Sequence, residues 1–346
     1  MSTSVPQIDT TIHLGICLYD RGMHVRSIPW LRRPRDPLIA LILGAVVVAI
    51  IFPIHGAAAD WFSIATKIAI ALLFFLYGAR LSPQEALKGL THWRLHLTIL
   101  GFTYVAFPLI GLGFMLLEGH WAQPLLPGLV YLTLVPSTVQ SSVAFTSIAR
   151  GNVAGAIVSA SLSNLLGVVF TPLLVMLFMS RGGVHIDGSV FVDIAIQLLL
   201  PFVLGQLARP WVKTFAANKG TKIVDRGSIT MVVYSAFSAG MVNGIWSSVS
   251  VSSILALVIF SIVLVAFMLW LTRTVANLLG FPREDMLAIQ FCGTKKSLAT
   301  GLPMAAVIFA GQSVSLLILP LMVFHQVQLM MCSALASRYA AQGSKL

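Results

Sequence analysis

Apolar stretches long enough to cross about 30 Å of hydrocarbon recur at residues 37–54, 61–79, 95–117, 124–148, 152–179, 189–208, 227–246, 251–272, 284–308 and 313–337. Ten such segments, with short polar connections, predict an all-α polytopic membrane protein of ten transmembrane helices. Two segments are interrupted. In the fourth, Pro136 removes a backbone donor, and Ser137-Thr138-Val139-Gln140-Ser141-Ser142 follows at about mid-membrane depth. In the ninth, Gly293-Thr294-Lys295-Lys296-Ser297 separates Met286–Gln290 from Leu298–Ile308. Breaks in segments four and nine divide the ten into two five-helix halves. An odd number of helices per half forces opposite orientations, which is the inverted-repeat arrangement of secondary carriers. The expected organisation is a tail over residues 1–36, repeats over 37–179 and 189–338, and a second tail over 339–346. No residue-level repeat joins the halves, so the symmetry rests on topology.

Composition fits this picture. Of 346 residues, 58% are hydrophobic and 10% charged, with a mean hydropathy of +0.92, which leaves too little polar surface for a water-soluble domain of this size. The net charge of +11 is explained by its distribution. With the N-terminus inside, eighteen basic residues fall in inner segments and Arg181 alone in an outer loop, while Lys67, Lys295 and Lys296 lie within spans. Shifting the frame by one helix destroys that bias, so both termini are expected in the cytoplasm. No basic run forms a stripe for nucleic acid. Cys17, Cys292 and Cys332 lack metal-ligand spacing and are expected as free thiols. The stretch Thr11–Tyr19, interrupted by His13, does not read as a signal peptide; translation from Met1 and from Met23 are both left open.

A lysine near the bilayer centre costs about 3 kcal/mol on insertion scales, so Lys295 and Lys296 need a cavity, partners or a ligand. Acids are scarce: Asp193 is the only one close to a membrane core, and cation sites are normally built from carboxylates and carbonyls. The polar lining consists instead of hydroxyls and amides, with Gln140, Ser141, Ser142, Asn164, Gln290, Thr294 and Ser297 as candidate binding residues beside the two lysines. Such a lining favours an anion. Other polar residues read more simply. Ser159, Ser161 and Ser163 suit close helix packing, Lys67 suits snorkelling with Asp60 nearby, and His325, Gln326 and Gln328 suit hydrogen bonds between helices. There is no His-Glu-x-x-His pair, Walker loop or Gly-x-Ser-x-Gly elbow, so no enzyme is expected.

Pro136 through Thr146, the Arg150-Gly151-Asn152-Val153-Ala154 turn, Thr171-Pro172 and the glycine-centred break of span nine resemble the bile acid:sodium symporter superfamily over nearly all of residues 37–338. The strings Pro-Ser-Thr-Val-Gln-Ser-Ser-Val and Cys-Gly-Thr-Lys-Lys-Ser-Leu-Ala are similar to its divergent YfeH-like branch, which includes the seventh human member of solute carrier family 10. The resemblance implies a multi-pass protein of the bacterial inner membrane. It further implies a panel domain (spans 1, 2, 6 and 7) and a core domain (spans 3–5 and 8–10), with broken helices four and nine crossing near the substrate and sodium sites.

The same resemblance implies where this chain departs. Sodium-coupled members carry Glu-x-Gly-x-Gln-Asn in span nine; aligned on Gly293, this chain has Phe291, Thr294, Lys295 and Lys296 at those places. The Ser-Asn pair of span four falls on Ser141-Ser142 or on Ser142-Val143, according to the anchor used. The span-five hydroxyls fall on Ala156 and Ala160, and the span-three glutamine on Thr103, five residues before Pro108. Every departure removes a sodium ligand and argues against sodium coupling through those sites; no cofactor is expected.

The sequence therefore predicts a secondary transporter that moves a small organic anion by alternating access, embedded in lipid, with its oligomeric state open and a monomer compatible. The alternative implied by the resemblance is a membrane regulator of cellular calcium that transports nothing itself. A groove is expected between Gln140, Ser141 and Ser142 on one side and Thr294, Lys295 and Lys296 on the other. Lys295 is expected to act as a tethered cation in the former sodium position, and Lys67→Met to be nearly silent.

Overall fold

The computed structural model describes residues 37–80, 92–116, 125–179, 195–244, 249–310 and 314–342. The expectations placed on Cys17, Met23, Arg181 and Asp193 lie outside these residues. A helix or a pair of short helices coincides with each apolar segment: α1 (Pro37–Ile51), α2 (Gly56–Arg80), α3 (Trp93–Met115), α4 (Leu126–Leu134), α5 (Val139–Ile148), α6 (Val153–Met179), α7 (Ala195–Ala216), α8 (Lys222–Val242), α9 (Val251–Leu278), α10 (Arg283–Gly293), α11 (Leu298–Ile308) and α12 (Val314–Gln342). No strand occurs among the described residues. Six helices (α2, α3, α6, α7, α9 and α12) are individually long and apolar enough to cross a membrane, and α4 with α5 makes a seventh path bent by 66°. The protein is an all-helical polytopic membrane protein. Helix α12 continues through Gln342, four residues into the tail expected at 339–346.

The surface and interior are those of a protein in lipid. Large apolar side chains such as Val47, Ile68, Leu109, Leu177, Leu207 and Ile259 face outward. Buried positions include Lys295, Lys296, Thr103, Ser142, Thr146 and Gln328. A bilayer solvates the apolar exterior, so polar groups gather where backbone and side chains can satisfy one another.

Close helix approach depends on small residues. A Cβ on Gly78 of α2 would collide with Phe202 O of α7, and a Cβ on Gly205 of α7 would collide with Phe75 O of α2. Arg80, the last residue of α2, donates from Nε to the carbonyl of Ala216, the last residue of α7, at 2.7 Å. The same guanidinium pairs with Asp225 of α8 at 2.7 Å and reaches Thr221 Oγ1 at 2.8 Å. Because their C-terminal ends meet, α2 and α7 run parallel.

The Arg150-Gly151-Asn152 turn docks the start of α10. Arg150 adopts a positive φ of 60°, and Gly151 leaves no room for a Cβ against Leu287. Asn152 donates its backbone N–H to Glu284 O at 2.9 Å and its Nδ2 to Asp285 at 2.6 Å, while its Oδ1 accepts from the N–H of Gly155 at 2.8 Å. The motif thus fixes the first half of a broken helix. Asn152→Ala removes a hydrogen bond to a buried carboxylate and is expected to cost about 2 kcal/mol, read as a lowered unfolding temperature of the purified protein.

Candidate functional site

The residue before a proline is pushed into extended conformation, and Val135 accordingly lies at φ −78°, ψ 156° and ends α4. The chain re-enters a helix at Val139. In the second break, α10 ends at Gly293 and Ser297 caps α11 by accepting the N–H of Thr300 at 3.2 Å. The two breaks touch: Ser297 donates its N–H to Pro136 O at 2.7 Å.

Each broken helix leaves last-turn carbonyls without helical donors, and side chains of the other elements supply them. Cys292 O accepts from Ser137 Oγ at 2.6 Å, and Lys296 O from Thr138 Oγ1 at 2.8 Å. Leu134 O accepts from Thr171 Oγ1 at 2.9 Å, and Ser137 O from Asn164 Nδ2 at 2.6 Å. The amide of Gln328 on α12 accepts from the Lys296 N–H at 2.9 Å and donates to the Lys296 carbonyl at 2.8 Å.

The remaining free carbonyls surround one ammonium. Lys296 is fully buried and its Nζ donates to Thr103 O at 3.0 Å, Thr133 O at 2.8 Å and Val135 O at 2.8 Å. It also stands 4.2 Å from the centroid of Phe107. Local sequence explains the cage. Residues Phe102–Ala106 form a π-helical turn in which Phe107 N–H bonds Phe102 O; the next residue, Pro108, has no N–H, so Thr103 O is left without a helical donor. Pro136 likewise cannot donate, and Ser137 N–H goes to Ser163 Oγ at 3.0 Å instead of to Thr133 O. Three acceptors match the three N–H bonds of an ammonium, whereas a neutral amine offers two. The partial negative charge at the C-terminal end of α4 adds to the attraction.

Lys295 is held differently. Its Nζ is fully buried with no hydrogen-bond partner among the described residues, 3.8 Å from the centroid of Phe145 and 5.9 Å from that of Phe291. One helical turn before Phe145, on the same face of α5, the Oγ of Ser141 is also buried and unpartnered. The sequence expectation gave the tethered role to Lys295; the carbonyl cage belongs to Lys296, because it is this side chain that reaches the proline-freed carbonyls.

The other candidates divide. Thr103 contributes its carbonyl, while its hydroxyl bonds Ile99 O at 3.0 Å. Ser142 bonds Phe291 O at 3.3 Å, and Thr294 meets Thr272 of α9 at 3.3 Å. Ser297 donates to Thr300 at 3.0 Å, and Thr300 to Asn164 Oδ1 at 2.6 Å, which joins Asn164 to the second break. Gln290 stands apart as a brace, donating to Leu269 O at 2.9 Å and accepting from Tyr339 at 3.0 Å. Gln140 is exposed. Of the residues expected to line a groove, Ser142, Thr294, Lys295 and Lys296 are buried. Ser159 and Ser163, read as packing residues, bond His96 at 2.6 Å and cap the first break. Sequence reasoning missed Thr133, Val135 and Phe107; Pro136, whose break frees both carbonyls, was the available signal for the first two.

Crossing broken helices with a caged cation at one half-helix end are the construction of a secondary carrier, and comparison with known proteins agrees. The chain belongs to the SBF-like CPA transporter family, which it matches over residues 36–341. It is 47% identical over 315 residues to an uncharacterized protein of Pseudomonas aeruginosa, covering 89% of this chain and 95% of the relative. It is 44% identical over 314 residues to YfeH of Escherichia coli, named as a candidate symporter, covering 90% of this chain and 95% of the relative. Sodium/bile acid cotransporter 7 of Rattus norvegicus is 34% identical over 277 residues, covering 78% of this chain and 81% of the relative. This SBF-like protein therefore lies in the bile acid:sodium symporter superfamily, and it is a membrane transporter rather than an enzyme.

Proposed function

We propose that this chain is a secondary carrier that moves a small organic anion by alternating access, without sodium bound at the crossing of its broken helices. The observation that carries the reading is the cage of Thr103 O, Thr133 O and Val135 O around the Lys296 ammonium. Backbone carbonyls without a carboxylate suit a monovalent cation, and here the cation is part of the chain. It needs no gradient to fill the site. Lys295 adds a second positive charge that no described hydrogen-bond acceptor takes up, so the crossing carries charge left over for an anion.

The proposal includes ten membrane-spanning paths in two inverted five-helix repeats, with both termini cytoplasmic in a bacterial inner membrane. The breaks after Leu134 and Gly293, each flanked by two short helices, support it. So does the parallel run of α2 and α7, which the three intervening crossings of α3, of α4 with α5, and of α6 require. The charge distribution along the chain supplies the orientation.

The test is flux in proteoliposomes. Benzenesulfonate stays charged at all working pH values and does not leak as a neutral acid. Its counterflow into preloaded vesicles is expected at the same rate in sodium and in choline buffers. Strict dependence on sodium overturns the sodium-free reading. No flux above protein-free vesicles for benzenesulfonate or a panel of small carboxylates and sulfonates overturns the carrier reading.

A further inference from the structure

Away from the crossing, α2, α7, α8, α11 and α12 line a half-open cavity of about 240 Å³. Its polar lining includes Ser63, Thr66 and Lys67 of α2, Gln197 of α7, Asn243 after α8 and Ser315 of α12; its apolar lining includes Ile70 of α2 and Val232 of α8. None of the lining residues is acidic. Lys67 is exposed and makes neither an ion pair nor a hydrogen bond with a described residue. Ser315 is the reverse case, 1% exposed with an Oγ that has no hydrogen-bond partner. A buried hydroxyl left unpaired is costly, so a group entering the cavity and accepting from it is favoured.

We propose that this cavity is the entry site for a small organic monoanion, a single carboxylate or sulfonate on a compact apolar body. The inference deepens the carrier reading by naming its substrate class, and it rests on that reading for the role of entry. Lys67 supplies the charge, Ser315 a hydrogen bond, and the apolar lining residues take the body of the ligand. The volume sets the size. It lies below the roughly 300–1,000 Å³ of pockets that take drug-sized ligands, which selects a one-ring anion over a sterol-sized one. In the proposed orientation the cavity lies toward the outer ends of its helices, near the start of α2 and the ends of α8 and α11. Lys67, expected from the sequence to snorkel, has a specific place here because five helices converge on it.

The test is equilibrium binding of benzenesulfonate to purified full-length protein, measured by titration calorimetry. Saturable binding is expected for the wild type and, within threefold, for Lys67→Arg. A loss of at least tenfold is expected for Lys67→Met and for Ser315→Leu, which removes the hydroxyl and narrows the cavity. The neutral analogue benzenesulfonamide and the sterol-sized sulfonate taurocholate are expected not to compete. The site is refuted by wild-type affinity in Lys67→Met, as for a lysine that only reaches lipid headgroups, or by no saturable wild-type binding. Equal binding of the sulfonamide refutes charge recognition, and equal binding of taurocholate refutes the size class. Flux decides the carrier reading and binding decides this site, so failure of either is seen separately.

Discussion

Lys296→Ala is expected to destabilise the protein strongly in sodium-free buffer and to make its stability depend on sodium. The substitution leaves Thr103 O, Thr133 O and Val135 O without their donor inside a water-poor crossing. Each buried acceptor without a partner costs about 1–3 kcal/mol, so the loss is on the order of 3 kcal/mol or more. The vacated space, still walled by three carbonyls and the Phe107 ring, has what a small cation needs to shed its water. Thermal unfolding in sodium chloride against choline chloride reads both effects: Lys296→Ala recovers part of its stability in sodium, whereas the wild type melts alike in both salts. Lys296→Met serves as the control, because its side chain fills the space; it is expected to be unstable in either salt. A wild type stabilised saturably by millimolar sodium would sink the idea of a tethered cation, as would a Lys296→Ala protein that melts like the wild type.

Much of this arrangement could be read in the sequence, for reasons that also mark where reading stopped. Bilayer thickness sets segment length, so hydrophobic runs located the helices but not their ends: α7 ends at Ala216, eight residues past the expected 208. Pro136 announced one break because it lacks an N–H, and two lysines among apolar residues announced the other. The choice between the lysines was not legible. Register against a family pattern put Lys295 in a ligand position, but the cage is built from backbone carbonyls, and every residue type carries one. Thr103 was singled out as the place of the family's span-three glutamine, yet it acts through a carbonyl released by a π-helical turn and Pro108. The hydroxyls that cap the crossing, on Ser137, Thr138, Ser163 and Thr171, belong to a class common in membrane helices and give no individual signal. Lys67 read as a snorkelling side chain because the residues that share its cavity come from five helices distant in sequence.

Lys295→Met is expected to raise the stability of the folded protein while abolishing anion flux, the opposite stability effect from its neighbour. The Lys295 ammonium is fully buried, has no hydrogen-bond partner among the described residues, and stands against the rings of Phe145 and Phe291. A desolvated cation–π contact returns about 2 kcal/mol, against about 3 kcal/mol for placing a lysine at membrane depth. Methionine keeps a side chain of similar length and a favourable sulfur contact with the ring and removes the charge, so a gain of about 1 kcal/mol or more is expected. A substitution that stabilises while it inactivates marks a residue kept for function at the expense of the fold. Unfolding temperature and benzenesulfonate counterflow, measured on the same preparation, separate the outcomes. If the variant melts lower and its flux is unchanged, Lys295 is a packing residue whose ring contact outweighs its burial, and the anion must meet its countercharge elsewhere.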